Sequence, residues 1–139
     1  MKNIIMVSFL SLSILNCSRQ AEKPKLTIGQ YNIQATTAKG VVEKILHESD
    51  YKRMHGIALA VESSRAVDCI SIGEECNVLG QILNKIVNST SEGPPSEEEN
   101  VAIYKLVNQL NIEIAKSEEI LSQQWKDYIN TRAKEEQPK

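Results

Sequence analysis

The longest uninterrupted helical pattern lies near the C-terminus, and it restricts the fold more than any other feature of the chain. No glycine or proline occurs between Glu97 and Ala133, and Pro94 with Pro95 ends whatever precedes this segment. Ser96 and Glu99 have the spacing of a capping box at the start of a helix. We therefore predict one helix over 97–133. Its apolar residues recur on a stripe about 60° wide: Ile103, Val107, Leu110, Ile114, Leu121, Trp125 and Tyr128.

A shorter helical pattern precedes the proline pair. Its apolar residues share one helical face as far as Asn88, and the Ser, Gly and Pro content of 89–95 predicts a loop. The residues on that face are Cys76, Leu79, Leu83, Ile86 and Val87.

The region from Thr37 to Cys69 has two apolar faces that point in different directions. Val42 represents the earlier face and Ala58 the later one, and at helical spacing the two differ by about 160°. One straight helix cannot turn both faces towards one core, so we predict a break at 47–50, with Ser49 or Asp50 as the new N-cap. The alternative is a single helix of about 30 residues packed between neighbours on opposite sides.

The residues before Thr37 predict an extended segment. Positions 18–25 are polar, as in a flexible tether, and apolar and polar residues alternate from Leu26 to Ile33. We expect an all-α fold, a small antiparallel bundle of three or four helices with a long C-terminal helix and an extended N-terminal tether. The predicted divisions are a leader (1–16), a tether and extended arm (17–36), the helical domain (37–135) and a disordered tail (136–139).

The first residues have the pattern of an export signal. Lys2 is followed by an apolar run from Ile4 to Leu15. As a helix this run would be about 18 Å long, too short for a bilayer core of about 30 Å, and a removable signal peptide has this form.

The sequence Ile14-Leu15-Asn16-Cys17 resembles the lipobox of bacterial lipoproteins. The resemblance implies that the leader is cut before Cys17, which then carries acyl chains such as palmitate and holds the protein on the membrane. Asn16 departs from the common Gly, Ala or Ser, and is similar to the relaxed lipoboxes of spirochaete lipoproteins. We expect a lipid-anchored protein of the cell envelope, in the outer membrane, facing the periplasm or the cell surface. The alternative is an ordinary signal peptide with a chance cysteine.

Cys69 and Cys76 are predicted to form a disulfide. Both lie on buried faces of their helices, at the closed end of a helical hairpin. Disulfides form readily in exported proteins, whereas a metal pair would need further ligands close in sequence. The rival interpretation is two free cysteines in the core.

The sequence offers little catalytic or cofactor chemistry. His47 and His55 are the only histidines, and Glu43, four residues before His47, is more typical of a surface contact than of a metal site. Nucleophile elbows, phosphate-binding loops and zinc-protease motifs are missing from the sequence. With a net charge of −2 and no basic patch, nucleic acid is not an expected partner. We expect neither an enzyme nor a cofactor or metal.

The long helix has two sets of candidate partner contacts. Trp125 and Tyr128 lie on its apolar stripe, where core packing is the simpler interpretation, and Val101 and Ile112 lie on the far side. The stripe also has the rhythm of a coiled coil, which raises the hypothesis of a homodimer through this helix, although packing within a bundle uses the same rhythm.

Two functions fit these features. The first is a membrane-anchored, non-catalytic binding lipoprotein that presents a helical surface to a protein partner, either as a surface ligand or as a periplasmic assembly factor. Such a factor is similar in outline to pilotins, which are small helical lipoproteins. The second is an inhibitor, immunity or exclusion lipoprotein that blocks an incoming toxin, enzyme or phage.

Overall fold

The protein is all-α. The computed structural model describes residues 22–70 and 72–137, and in these ranges it contains four helices and no strand: α1 (Ile28–Leu46), α2 (Tyr51–Asp68), α3 (Glu75–Ser89) and α4 (Glu97–Glu135). Helix α2 packs against both α1 and α3. The predicted fold class, a helical bundle with a long last helix, is confirmed.

Helix α1 begins earlier than predicted. Thr27 is its N-cap, and a capping box joins the Thr27 hydroxyl to the Gln30 backbone and the Gln30 side chain to the Thr27 backbone. The extended arm predicted up to residue 36 is therefore wrong from Ile28 onward. The apolar positions that face the interior, Tyr31, Ala35 and Val42, recur at helical spacing and outweigh the local alternation on which the extended arm was predicted.

The predicted break between the first two helices is confirmed. Helix α1 ends at Leu46, and α2 begins at Tyr51. Asp50 is the N-cap of α2, and one of its carboxylate oxygens accepts a hydrogen bond from the Lys52 backbone N–H at 3.0 Å. The break lets Val42 of α1 and Ala58 of α2 both be buried, although their faces differ in direction along the sequence.

Helix α4 starts with the predicted capping box. The Glu99 backbone N–H donates to the Ser96 hydroxyl at 3.1 Å, and the Ser96 backbone N–H donates to the Glu99 carboxylate at 3.2 Å. The helix ends at Glu135, close to the predicted boundary, and positions 138–139 of the predicted tail lie outside the described residues. Its buried residues are Ile103, Leu110, Ile114, Ser117 and Leu121.

The chain divides into two compact units. Among the described residues, the larger runs from Leu26 to Ser122, and the smaller takes in 22–25 and 123–137. The core of the larger unit is formed mainly by aliphatic side chains that are fully buried, among them Ile45, Ile82, Leu83, Ile86 and Ile103. Among the described residues, no helix is both long and apolar enough to cross a bilayer.

The predicted disulfide is present. Cys69 is the C-cap of α2 and Cys76 lies in the first turn of α3, with their Cα atoms 5.8 Å apart. The bond closes a loop with a sequence separation of 7 residues, so it fixes where α3 starts relative to the end of α2.

Removing this bond should lower the stability of the protein. Closing so short a loop reduces the conformational entropy of the unfolded chain and stabilises by roughly 2–3 kcal/mol. Urea unfolding of a Cys69→Ser, Cys76→Ser double variant should give a free energy of unfolding lower by about this amount. An unfolding midpoint unchanged from that of the wild type would contradict a stabilising role.

Candidate functional site

The predicted anchor, Cys17, lies outside the described residues, so its lipidation stays a prediction. The described chain begins at Glu22, a few residues before α1.

The far side of α4 carries exposed apolar side chains. Val101 and Ile112, the predicted contact residues, are 52% and 50% exposed. Tyr104, which the sequence interpretation missed, is 53% exposed and lies one turn from Val101. We call these three residues the α4 strip. Because Ile103, Leu110 and Ile114 are buried inside the bundle, α4 has one face in the core and apolar residues on its solvent side.

The two aromatic residues near the C-terminal end of α4 belong to the smaller unit. The rings of Trp125 and Tyr128 pack edge to face, with centroids 5.7 Å apart and planes at 88°. Both side chains are half-buried, so the expectation that they share the fully buried stripe of Leu121 holds only in part.

A buried carboxylate lies in the interior of the larger unit. Glu75, the first residue of α3, has no solvent exposure. The Tyr31 hydroxyl of α1 donates to Glu75 Oε1 at 2.7 Å, and the Gly73 backbone N–H donates to Oε2 at 2.8 Å. The Ser117 hydroxyl of α4 provides another hydrogen bond. We call Tyr31, Gly73, Glu75 and Ser117 the Glu75 cluster.

The turn that holds Gly73 passes very close to α4. A Cβ atom placed on Gly73 would lie 2.9 Å from the Ser117 hydroxyl oxygen, closer than ordinary van der Waals contact. A glycine at this position therefore allows the turn, the carboxylate and α4 to meet.

The cluster shifts the acidity of both of its titratable groups. Burial opposes ionisation of Glu75, but hydrogen bonds from Ser117, Tyr31 and the backbone outweigh it and hold the pKa of this carboxyl below its ordinary value. Burial and the neighbouring Glu75 carboxylate raise the pKa of the Tyr31 phenol. Glu75 is therefore ionised and Tyr31 neutral at physiological pH, which is the pairing that their hydrogen bond requires.

The cluster is suited to holding helices together rather than to catalysis. Its carboxylate faces donors on three elements and has no solvent exposure through which a substrate could reach it. The sequence interpretation missed the Glu75 cluster, although two features of the sequence indicate it. Ser117 interrupts the apolar rhythm of α4, and Glu75 lies at helical spacing from the buried residues Leu79 and Ile82.

A groove of about 470 Å³ opens in the surface of the larger unit, which we call the α1–α2 groove. Helix α1 contributes Ile33 and Val41, α2 contributes Val61 and Arg65, and α3 contributes Leu79. Cys69 of the disulfide is a further lining residue.

The histidines of the chain make backbone contacts. Nδ1 of His47 lies 2.8 Å from the Glu43 carbonyl oxygen, and Nδ1 of His55 lies 3.1 Å from the Val87 carbonyl oxygen and 3.1 Å from the Thr90 hydroxyl. Within the part of the chain that the structure describes, no group of three or more His, Cys, Asp or Glu side chains is arranged to hold a metal ion.

Comparisons of this chain with models of protein families, with curated proteins and with solved structures found no match.

Replacing Tyr31 by Phe removes one donor to the buried carboxylate and leaves the ring in place. We expect the free energy of unfolding to fall by about 1.5–3 kcal/mol, the usual range for a hydrogen bond to a charged group. Tyr104→Phe is the matched control, because Tyr104 is about half exposed. Loss of its hydroxyl should change the free energy of unfolding by less than about 0.5 kcal/mol. Urea unfolding at neutral pH measures the free energy of unfolding of both variants. Equal losses in the two variants would contradict a stabilising role of the Glu75 cluster.

The same substitution should also change the acid sensitivity of the protein. A carboxyl whose pKa is lowered by folding stabilises the native state above its unfolded pKa of about 4.3, and this stabilisation is lost as the pH falls through the folded pKa. Without the Tyr31 donor the pKa of Glu75 in the folded protein rises. The loss of native-state stability on acidification should therefore begin at higher pH. Acid unfolding followed by circular dichroism tests this, with Glu75→Gln as the background in which the Tyr31→Phe shift should disappear.

Proposed function

We propose that this protein is a membrane-anchored, non-catalytic binding lipoprotein of the bacterial envelope, which presents a helical surface to a protein partner. The observation that carries the proposal is the α4 strip, because Val101, Tyr104 and Ile112 each keep about half of their surface exposed after folding. Large apolar side chains grouped on one helix are typical of protein contact surfaces, and tyrosine is enriched among residues that dominate binding energy.

The strip has the form of a helical docking face. Val101 and Tyr104 are separated by one turn, and Ile112 follows about three turns after Val101 on the same solvent side. The opposite face of α4 is held in the core by Ile103, Leu110 and Ile114, so the strip is presented on a rigid element. A partner that covered it would bury apolar surface without any rearrangement of the bundle.

The proposed anchor explains why such a surface would act at a membrane. Two or three acyl chains on Cys17 would bind a bilayer stably, since each buried methylene contributes about 0.8 kcal/mol. The chain from Cys17 to the start of α1 at Ile28 can extend over at most about 40 Å. The bundle would therefore stay close to the membrane surface, where an envelope partner can meet the strip.

Crosslinking of the intact protein in its own membrane, followed by affinity purification and mass spectrometry, tests the proposal. We expect a stoichiometric protein partner. A Val101→Asp, Ile112→Asp double variant should reduce its recovery at least tenfold, because two charges would be buried at the contact. Leu59→Asp on α2 is the matched control, since Leu59 is 48% exposed and lies outside the strip, and its recovery should equal that of the wild type.

Two results would contradict the proposal. The first is the absence of a stoichiometric partner from the crosslinked wild type, and the second is equal recovery with the double variant and with the control. The anchor is tested separately by Cys17→Ser, which should move the protein out of the membrane fraction. A Cys17→Ser protein that stays in the membrane, with no acyl mass on the wild type, would remove the lipoprotein part of the proposal and leave the strip untouched.

A further inference from the structure

The solvent side of α4 carries exposed residues that recur every seven positions, or nearly two helical turns. Lys105, Ile112 and Glu119 have this spacing, and all three are exposed. In the sequence, Glu98 and Lys126 continue the same spacing on either side. At equal distances from Ile112 the two directions along the chain therefore carry opposite charges. A pattern with this symmetry is complementary to a reversed copy of itself.

No ion pair in the described part of the chain involves the charged residues on either side of Ile112. Lys105 and Glu119 make neither an ion pair nor a side-chain hydrogen bond there, whereas Lys116 of the same helix pairs with Glu113 at 3.3 Å. They are 14 positions apart on one helix, about 21 Å, so they cannot pair with each other. An ion pair with a second chain would therefore replace none within the bundle.

Two antiparallel α4 helices, related by a two-fold axis at Ile112, bring the complementary groups together. Ile112 then meets Ile112 of the other copy, and Lys105 of each copy lies level with Glu119 of the other, so the same ion pair forms twice. A parallel pair would instead place Lys105 against Lys105 and Glu119 against Glu119, which is unfavourable. Exposed ion pairs contribute little affinity, but these charges select the antiparallel orientation.

We propose that the α4 strip, together with Lys105 and Glu119, forms an antiparallel contact with a second copy of this chain. The inference rests on the proposed function, because it names the partner of the same strip. The apolar stripe that raised the homodimer hypothesis is buried inside the bundle, so the contact uses the opposite side of α4. Lipid anchoring would confine both copies to one membrane, where the raised effective concentration lets a small interface of one helix from each copy form.

Zero-length crosslinking of the full-length wild type, in membranes from the cells that produce it, tests the contact. A carbodiimide joins a lysine amine to a carboxylate only where the two groups touch, so it should link Lys105 to Glu119 in a species of twice the monomer mass. Within one copy these residues are about 21 Å apart along α4, so this link forms only between copies. The pair of Lys116 and Glu113, 3.3 Å apart in one chain, is the internal control for the reaction.

A cysteine at the two-fold axis gives a second measurement. Mild oxidation of Ile112→Cys should produce a disulfide-linked dimer, and Leu59→Cys on α2, where Leu59 is 48% exposed, should not. In the Ile112→Cys background, Lys105→Glu and Glu119→Lys should each lower the dimer yield roughly fivefold, because like charges then meet at both symmetric contacts. Combining the two reversals should restore the yield. Lys52→Glu, at an exposed position of α2, is the control and should leave the yield unchanged.

The inference is overturned if the control link of Lys116 to Glu113 forms without the link of Lys105 to Glu119. This result needs no substitution, so it decides the question even if a variant disturbs folding. An Ile112→Cys dimer yield no higher than that of Leu59→Cys, or a double reversal as low as the single ones, would also overturn it. If a different protein is recovered through the α4 strip while the copies do not crosslink, the proposed function stands and the second copy is excluded. If neither is recovered, both proposals fail.

Discussion

The buried carboxylate of Glu75 is the interaction on which the larger unit most depends. Glu75 is the first residue of α3, and its carboxylate oxygens accept hydrogen bonds from Tyr31 on α1, from the Gly73 backbone and from Ser117 on α4. A charge with no solvent exposure is strongly unfavourable unless such donors surround it. The donors come from elements far apart in sequence, so only the assembled bundle supplies them together.

The need for these donors to surround the Glu75 carboxylate also affects the surface that is proposed to bind other molecules and the α1–α2 groove. The start of α3 is fixed twice, by the Glu75 cluster and by the disulfide of Cys69 with Cys76, and Cys69 also lines the α1–α2 groove. On α4 the buried residues Ile103, Leu110, Ile114 and Ser117 face the core, and Val101 and Ile112 lie on the solvent side. Buried polar groups that are fully hydrogen-bonded rigidify a bundle and favour one arrangement over its alternatives.

The break before α2, the start of α4 and the Cys69–Cys76 pair were predicted correctly, whereas the start of α1, the Glu75 cluster and the α1–α2 groove were not. Ser96 and Glu99 identify the start of α4, and the change of apolar face between Val42 and Ala58 identifies the break before α2. The start of α1 was misplaced because the alternation from Leu26 to Ile33 was interpreted as an extended segment, although Thr27 and Gln30 have the spacing of a capping box. The Tyr31–Glu75 bond joins residues 44 positions apart, and no spacing rule connects them. The α1–α2 groove likewise depends on where Arg65 meets Gly80, which the sequence does not specify.

The most direct test of this account is a carbon-13 NMR titration of the Glu75 side-chain carboxyl in the folded protein. The hydrogen bonds of the cluster predict a pKa below that of an ordinary glutamate, so the Glu75 signal should keep its ionised chemical shift while exposed glutamates are becoming protonated. In Tyr31→Phe the Glu75 transition should move to higher pH. A Glu75 carboxyl that titrates with or above the exposed glutamates would contradict the account, because burial would then outweigh the donors of α1 and α4.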